Sequence, residues 1–411
     1  MLKKILRNQE LVFTGSTVLV SAMNYLYNLV LGRMLGPQLF ADIALLITML
    51  LMLSFFATTF QLVSTKFCAS LEEESLVGFK NYWLKSALFL GCVLGIIFII
   101  LAPCLKTLLN TSNTTIFIIF GCGIPFYLVL SVNRGFYQGS HQFTKLAITY
   151  QSEVWIKFIF SVLFIMFSGI TSSIAVQIAI FFSLIVALFP FQMSGDIKWN
   201  VSVSKDIKKM IFKFFILTLI YEFTQIIINN SDIILVKMYY DNTSSGYYAA
   251  LALIGRVIYF TTWILVMMLM PKVITLEKNG QKSQQIFFKY YIIIALFGFI
   301  MVTLCYLFPE LIVNLMFGKD YNFIAPLLWL YALATALFAL SNINVYYFLS
   351  IDKYFPTFVA LFMGCIQVLL IILNHNSLIE VVKMQVYSMA ILLFMLISYS
   401  VYYFYKRGNS I

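Results

Sequence analysis

The chain has 411 residues, of which 62% are hydrophobic and only 10% charged, and its formal net charge is +11; its mean hydropathy is +0.94. Soluble domains carry about 25% charged residues and about half apolar ones, so a string of water-soluble domains is excluded and an all-α polytopic membrane protein is expected. The positive charge would point to nucleic acid in a soluble protein; here it reports topology, because basic residues of membrane proteins gather in cytoplasmic loops.

Apolar runs between short polar breaks predict twelve transmembrane helices. They lie near residues 11–31, 39–65, 84–102, 114–132, 146–167, 173–192, 211–234, 246–270, 287–308, 324–349, 356–373 and 381–404. The start Met1-Leu2-Lys3-Lys4 begins like a signal peptide, but the apolar stretch that follows is too long and lacks a small-residue cleavage site, so it reads as an uncleaved first span. With the N-terminus inside, the inner breaks hold twenty basic residues, Lys66, Lys80, Arg134 and Lys208 among them. The outer segments hold only Arg33, Lys106, Lys237 and Lys319. This bias places both termini in the cytoplasm and requires an even number of spans.

A weak internal repeat divides the chain. Pro103-x-Leu105-x-x-x-Leu109 recurs as Pro309-x-Leu311-x-x-x-Leu315, and Asn133 with Phe143 recurs as Asn344 with Tyr354. Six spans is an even number, so the two halves insert in the same sense. An axis along the membrane normal then relates two six-helix lobes, with a cavity expected between them. The predicted boundaries are 1–192 for the N-lobe, 193–210 for a cytoplasmic linker and 211–411 for the C-lobe.

Polar side chains inside spans are the readable chemistry. Span 7 carries Glu222, Gln225, Asn229 and Asp232 at helical spacing, one polar face; span 1 carries Thr17, Ser21, Asn24 and Asn28 in the same way. These stripes read as walls of an aqueous cavity, or as hydrogen-bonding glue between helices. In span 5, Glu153 and Lys157 have the spacing of an ion pair. Arg256 lies deep in span 8 with no carboxylate one turn away, so its partner is Glu222 or another group from a second helix, or an anionic ligand. Its planar fork suits phosphate. Arg33, at the outer end of span 1, is an exposed turn residue or a gate contact. Asp42 caps a helix, faces the cavity or binds a cation. The six cysteines are scattered and read as packing residues. No phosphate-binding glycine loop, zinc-binding H-E-x-x-H, nucleophile elbow or nucleic-acid motif occurs, so neither an enzyme nor a resident cofactor or metal is expected.

The runs Leu31-Gly32-Arg33-Met34-Leu35-Gly36-Pro37 leading to Phe40, Asn133-Arg134-Gly135-Phe136-Tyr137-Gln138-Gly139, and Ser231-Asp232-Ile233-Ile234-Leu235-Val236 followed by Gly246-Tyr247-Tyr248-Ala249-Ala250 and Gly255-Arg256 resemble bacterial polysaccharide flippases. Pro271-Lys272-Val273 and Leu315-Met316-Phe317-Gly318-Lys319-Asp320-Tyr321 extend the pattern. The family is the Wzx-type O-antigen flippases of the multidrug/oligosaccharidyl-lipid/polysaccharide (MOP) exporter superfamily. The resemblance implies a MATE-like fold in the bacterial inner membrane. It implies transfer of an undecaprenyl-diphosphate-linked oligosaccharide from the cytoplasmic to the periplasmic leaflet, with polysaccharide polymerase and assembly proteins as partners. Lys157 and Arg256 would then bind the diphosphate, with Arg33 near the outer opening. Gln225, Asn229, Asn24 and Asn28 would meet the sugar. Glu222, Asp232, Glu153 or Asp42 would carry a coupling H+ or Na+. Asp42 departs from the family pattern, in which that position is small or apolar. A drug exporter of the same architecture would favour a carboxylate-dominated cavity. A lipid-linked glycan polymerase or ligase would carry a long outer loop, and the outer breaks here are short.

Overall fold

The structure is a computed structural model that describes residues 2–71, 73–167, 169–191, 204–279, 281–351 and 353–408. It is 91% helical, without strands among the described residues. The helices are α1 (Leu2–Ser70), α2 (Glu73–Leu108), α3 (Thr115–Gly139), α4 (Phe143–Phe167), α5 (Ser172–Ala187), α6 (Lys205–Tyr239), α7 (Asn242–Lys278), α8 (Gln284–Leu307), α9 (Pro309–Met316), α10 (Leu328–Ser350), α11 (Phe355–Leu373) and α12 (Leu378–Gly408), with a 3-10 segment at Lys319–Leu327. Every predicted span falls on a helix. Among the described residues, nine helices are long and apolar enough to cross a membrane.

Spans 1 and 2 share α1, which bends at Gly36 (φ 69°, ψ 174°) just before Pro37. A positive φ is open to glycine, and proline both removes a backbone donor and disfavours helix at the residue before it. The short helix α9 was not expected from the sequence. Pro309 is pre-set for a first helical position, and Gly318 at φ 96° closes the turn behind it.

The outward faces of several helices are apolar. On α2, Phe89, Val93, Ile96 and Ile100 recur at helical spacing and stand exposed, Phe89 at 72%. On α12, Tyr387, Ile391, Phe394 and Val401 do the same. Faces of this kind belong against acyl chains rather than water, so the chain is an integral, multi-pass membrane protein.

The helices form two compact units. Unit 1 comprises Met1–Leu35 and Asp42–Ile226; unit 2 comprises Gly36–Ala41 and Ile227–Ile411. The division falls inside α6, and most of the expected linker 193–210 lies outside the described residues. The early part of α6 packs in unit 1, where Phe215 meets Phe60 and Trp83 and Phe214 meets Phe67. In unit 1, α2 packs on α3, α3 on α5, and α4 on α5. The α2–α3 seam is closed by small residues: a Cβ on Gly95 would lie 2.5 Å from Gly121 O, and one on Gly91 would lie 2.6 Å from Pro125 Cα. In unit 2, α10 is the central helix and touches α7, α8 and α12, while α11 packs on α12. Ile228, Phe338, Met363, Met389, Leu392 and Leu396 form part of its core. The six residues at the α1 bend belong to this unit, with Phe40 against Phe317 and Pro37 O against Gly246.

Candidate functional site

Each unit buries an arginine–carboxylate pair between consecutive helices. In unit 1, α3 runs to Gly139, beyond the predicted end of span 4 at residue 132, and so carries Arg134 into the protein. Arg134 was counted among the inner-loop cations; it is instead 5% exposed. Its Nη2 donates to Glu153 Oε2 at 2.6 Å and to Thr149 O at 2.9 Å, and its guanidinium lies 3.9 Å from the centroid of the Tyr150 ring. Tyr150 donates to Gln61 Oε1, and Gln61 donates to Gln138 Oε1, which ties α4 to α1 and α3.

The pair expected within span 5 does not form, because Glu153 is taken by Arg134. Lys157 is buried and donates to Asn24 Oδ1 on α1 at 2.7 Å. Its Nζ also lies 5.0 Å from the Tyr27 ring centroid, and Tyr27 in turn bonds Ser161 at 2.9 Å. Among the described residues no carboxylate lies within ion-pair distance of Lys157. Local crosslinks continue along this seam, with Gln151 donating to Ser16 Oγ. The remaining polar residues of span 1 turn inward on their own helix: Thr17 donates to Phe13 O, Ser21 to Thr17 O, and Asn28 to Asn24 O.

In unit 2, α6 and α7 face each other. Arg256 donates to Asp232 Oδ1 at 3.0 Å, to Asn230 Oδ1 at 3.3 Å and to Asn229 O. Asp232 Oδ2 accepts from Tyr331 at 2.8 Å and Tyr248 at 3.2 Å, and Gln385 donates to Tyr248 Oη at 2.8 Å. The partner of Arg256 is thus Asp232, not Glu222. A cavity of about 30 Å³ adjoins the pair, lined by Asp232, Arg256, Tyr331, Thr335, Gln367 and Gln385 among others. That volume suits water rather than a bulky anion. Gln367 Oε1 lines it without a hydrogen-bond partner.

The polar stripe of span 7 therefore serves two units. Glu222 accepts from Thr58 at 3.2 Å in unit 1 and has no cation within ion-pair distance among the described residues; Gln225 is buried beside it. Asn229 and Asp232 belong to the Arg256 cluster. Asp42 is buried and accepts from both the backbone N and the Oγ of Ser112. Arg33 is exposed. Sequence reasoning missed Arg134, Tyr248, Tyr331, Gln385 and Gln367 as polar cluster members. For Arg134 the signal was present in the Asn133-Arg134-Gly135 motif; the tyrosines resemble ordinary core aromatics until their hydroxyls are located.

Solved transporters and flippases share this fold. It resembles a multidrug resistance MATE family transporter of the MOP superfamily in its inward-facing conformation, with a TM-score of 0.76 and 14% identity over 92% of this chain and 93% of that one. It also resembles the lipid II flippase MurJ in an inward closed conformation, with a TM-score of 0.73 and 14% identity over 95% and 87% of the two chains. No curated protein matches the sequence significantly. Residues 30–326 match the family described as polysaccharide biosynthesis protein. The chain belongs to that family, which agrees with the resemblance of its motifs to polysaccharide flippases.

Proposed function

We propose that the protein moves an undecaprenyl-diphosphate-linked oligosaccharide from the cytoplasmic to the periplasmic leaflet of a bacterial inner membrane. It does so by alternating access of two six-helix lobes related by an axis along the membrane normal, with both termini cytoplasmic. The observation that carries this reading is the family match across residues 30–326, on a fold that MATE and MurJ share. The polar clusters support a division of roles within this reading. Arg256 is fully engaged by Asp232, Asn229 and Asn230, so Lys157, which has no carboxylate partner among the described residues, is the better anchor for the diphosphate, with Asn24 beside it. Asn28, Gln225 and Asn229 are kept for the sugar, and Arg33 for the outer opening. Glu222 is the best coupling group of the four carboxylates, because Asp232 and Glu153 already face arginines and Asp42 holds Ser112.

The test is reconstitution. Proteoliposomes loaded with a fluorescent polyprenyl-diphosphate-linked sugar are expected to expose it to an external quencher only when the protein is present, and faster under an imposed ion gradient. Efflux of lipophilic cations without movement of the lipid-linked sugar would instead establish a drug exporter.

A further inference from the structure

Lys157 occupies a setting poorly suited to a resident ammonium. An ammonium has three N–H donors, and the described residues offer Lys157 one acceptor, Asn24 Oδ1 at 2.7 Å. The described residues of the neighbouring elements supply the following charged and titratable groups. From α1 come Asn24 and Tyr27. From α3 come Arg134 and Tyr127, both near Glu153. On α4 itself lie Glu153, already bonded to Arg134, and Tyr150. The remaining neighbour, α5, has no titratable residue. Among the described residues around Lys157, then, two cationic side chains share one carboxylate, and a buried charge without a counter-ion is costly. A neutral amine fits this environment; an ammonium fits it once an anion arrives.

We propose that Lys157 takes up one proton when the diphosphate of the substrate binds. The proposal rests on the flippase reading, which supplies the anion. The Nζ lone pair accepts a proton from water, and the new ammonium turns from Asn24 Oδ1 to a phosphate oxygen; release of the anion returns the proton to water. A diphosphate esterified at both ends does not titrate near neutrality, so the proton must reside on the protein. Asn24 holds the place of the missing acceptor between cycles. At this level Val20 and Met23 of α1 pack on Val154, Tyr150 and Phe158 of α4. Binding and protonation are then linked reciprocally.

The experiment uses full-length protein in nanodiscs and farnesyl-diphosphate-linked N-acetylglucosamine as probe. Wild-type Kd is expected to rise about tenfold for each unit of increasing pH between about pH 6 and pH 8, the slope of one linked proton. Lys157→Arg, which keeps its charge, is expected to bind with no such slope; Lys157→Gln is expected to bind at least about tenfold more weakly at the acid end, also without slope. A second measurement needs no variant: adding probe to wild type in weak buffer with a pH dye should take up about one proton per probe bound at the alkaline end of that range. A wild-type slope retained by Lys157→Arg, or wild-type binding without proton uptake, overturns the proposal. Absence of wild-type binding at every pH, in protein that melts cooperatively, overturns the flippase reading as well.

Discussion

The two units solve the same problem with different charge balances. Unit 2 sets one arginine against one aspartate and wraps both: Tyr331 and Tyr248 donate to Asp232, Asn230 and Asn229 accept from Arg256, and Gln385 supports Tyr248. Unit 1 sets Arg134 against Glu153 in similar style, then adds Lys157 one turn further along α4 with an amide as its partner. A neutral, closed cluster is suited to holding helices together. A cluster with one cation in excess is suited to receiving an anion. The contrast therefore sets a charge-balanced interior around Arg256 against one with an extra buried cation at Lys157.

The largest expected effect breaks the balanced side. Asp232→Ala leaves Arg256 buried without its carboxylate and should cost about 3–5 kcal/mol, read as loss of folded protein or a collapsed melting temperature in detergent. Replacing both partners together, Asp232→Leu with Arg256→Met, should cost less than the single change, because no buried charge is then stranded. If the double variant melts as low as the sum of the single ones, the pair is not the unit that the geometry describes. Glu153→Ala tests the other side and should cost about 3 kcal/mol, somewhat less than Asp232→Ala. Glu153 is partly exposed, at 14%, and Arg134 keeps Thr149 and the Tyr150 ring. Equal melting of the two carboxylate variants would erase the distinction between the units.

Much of the frame was legible because helix periodicity and turn residues are local. The break between the runs at 11–31 and 39–65 fell at the α1 bend, and each apolar run fell on a helix. The polar pairings were not, for a physical reason that Glu153 illustrates. Sequence spacing gives it Lys157 as its nearest opposite charge, while the stronger competitor arrives on α3, where a guanidinium makes a short, charge-assisted bond. Arg134 was hidden by a span ended too early, since polar residues near a helix terminus look like loop. The stripe Glu222–Gln225–Asn229–Asp232 was visible as one face of a helix, but nothing in the spacing tells that the first two residues serve one unit and the last two the other.

Packing sharpens the comparison at lower cost. A methyl added at Gly95 would meet Gly121 O at 2.5 Å, backbone that cannot step aside, whereas one added at Gly298 on α8 would meet the Ala336 methyl at 3.1 Å. Gly95→Ala should therefore destabilise by about 1–3 kcal/mol, and Gly298→Ala by well under that. Melting temperatures that rank the other way would mean that the α2–α3 seam of unit 1 is looser than its glycines imply.

The smallest effect belongs to a helix start in unit 2. Asp241 precedes α7 and its Oδ2 accepts from the backbone N–H groups of Thr243 at 3.0 Å and Ser244 at 3.3 Å. A hydrogen bond from the Ser244 hydroxyl, with these backbone bonds adding to it, holds its carboxyl below the usual carboxylate range. The backbone bonds satisfy two donors that the helix leaves without intrahelical partners. A depressed carboxyl contributes stability above its unfolded value, about pH 4, and loses it as pH falls through its lower folded value. Asp241→Asn removes the charge but keeps a capping oxygen, so its deficit at neutral pH should be at most about 0.5 kcal/mol for this exposed group. That deficit should shrink as the medium is acidified past about pH 4, because wild type then becomes neutral too. A deficit that stays constant across the acid range would assign the cap to hydrogen-bond geometry alone and leave the charge of Asp241 without a role at the α7 terminus.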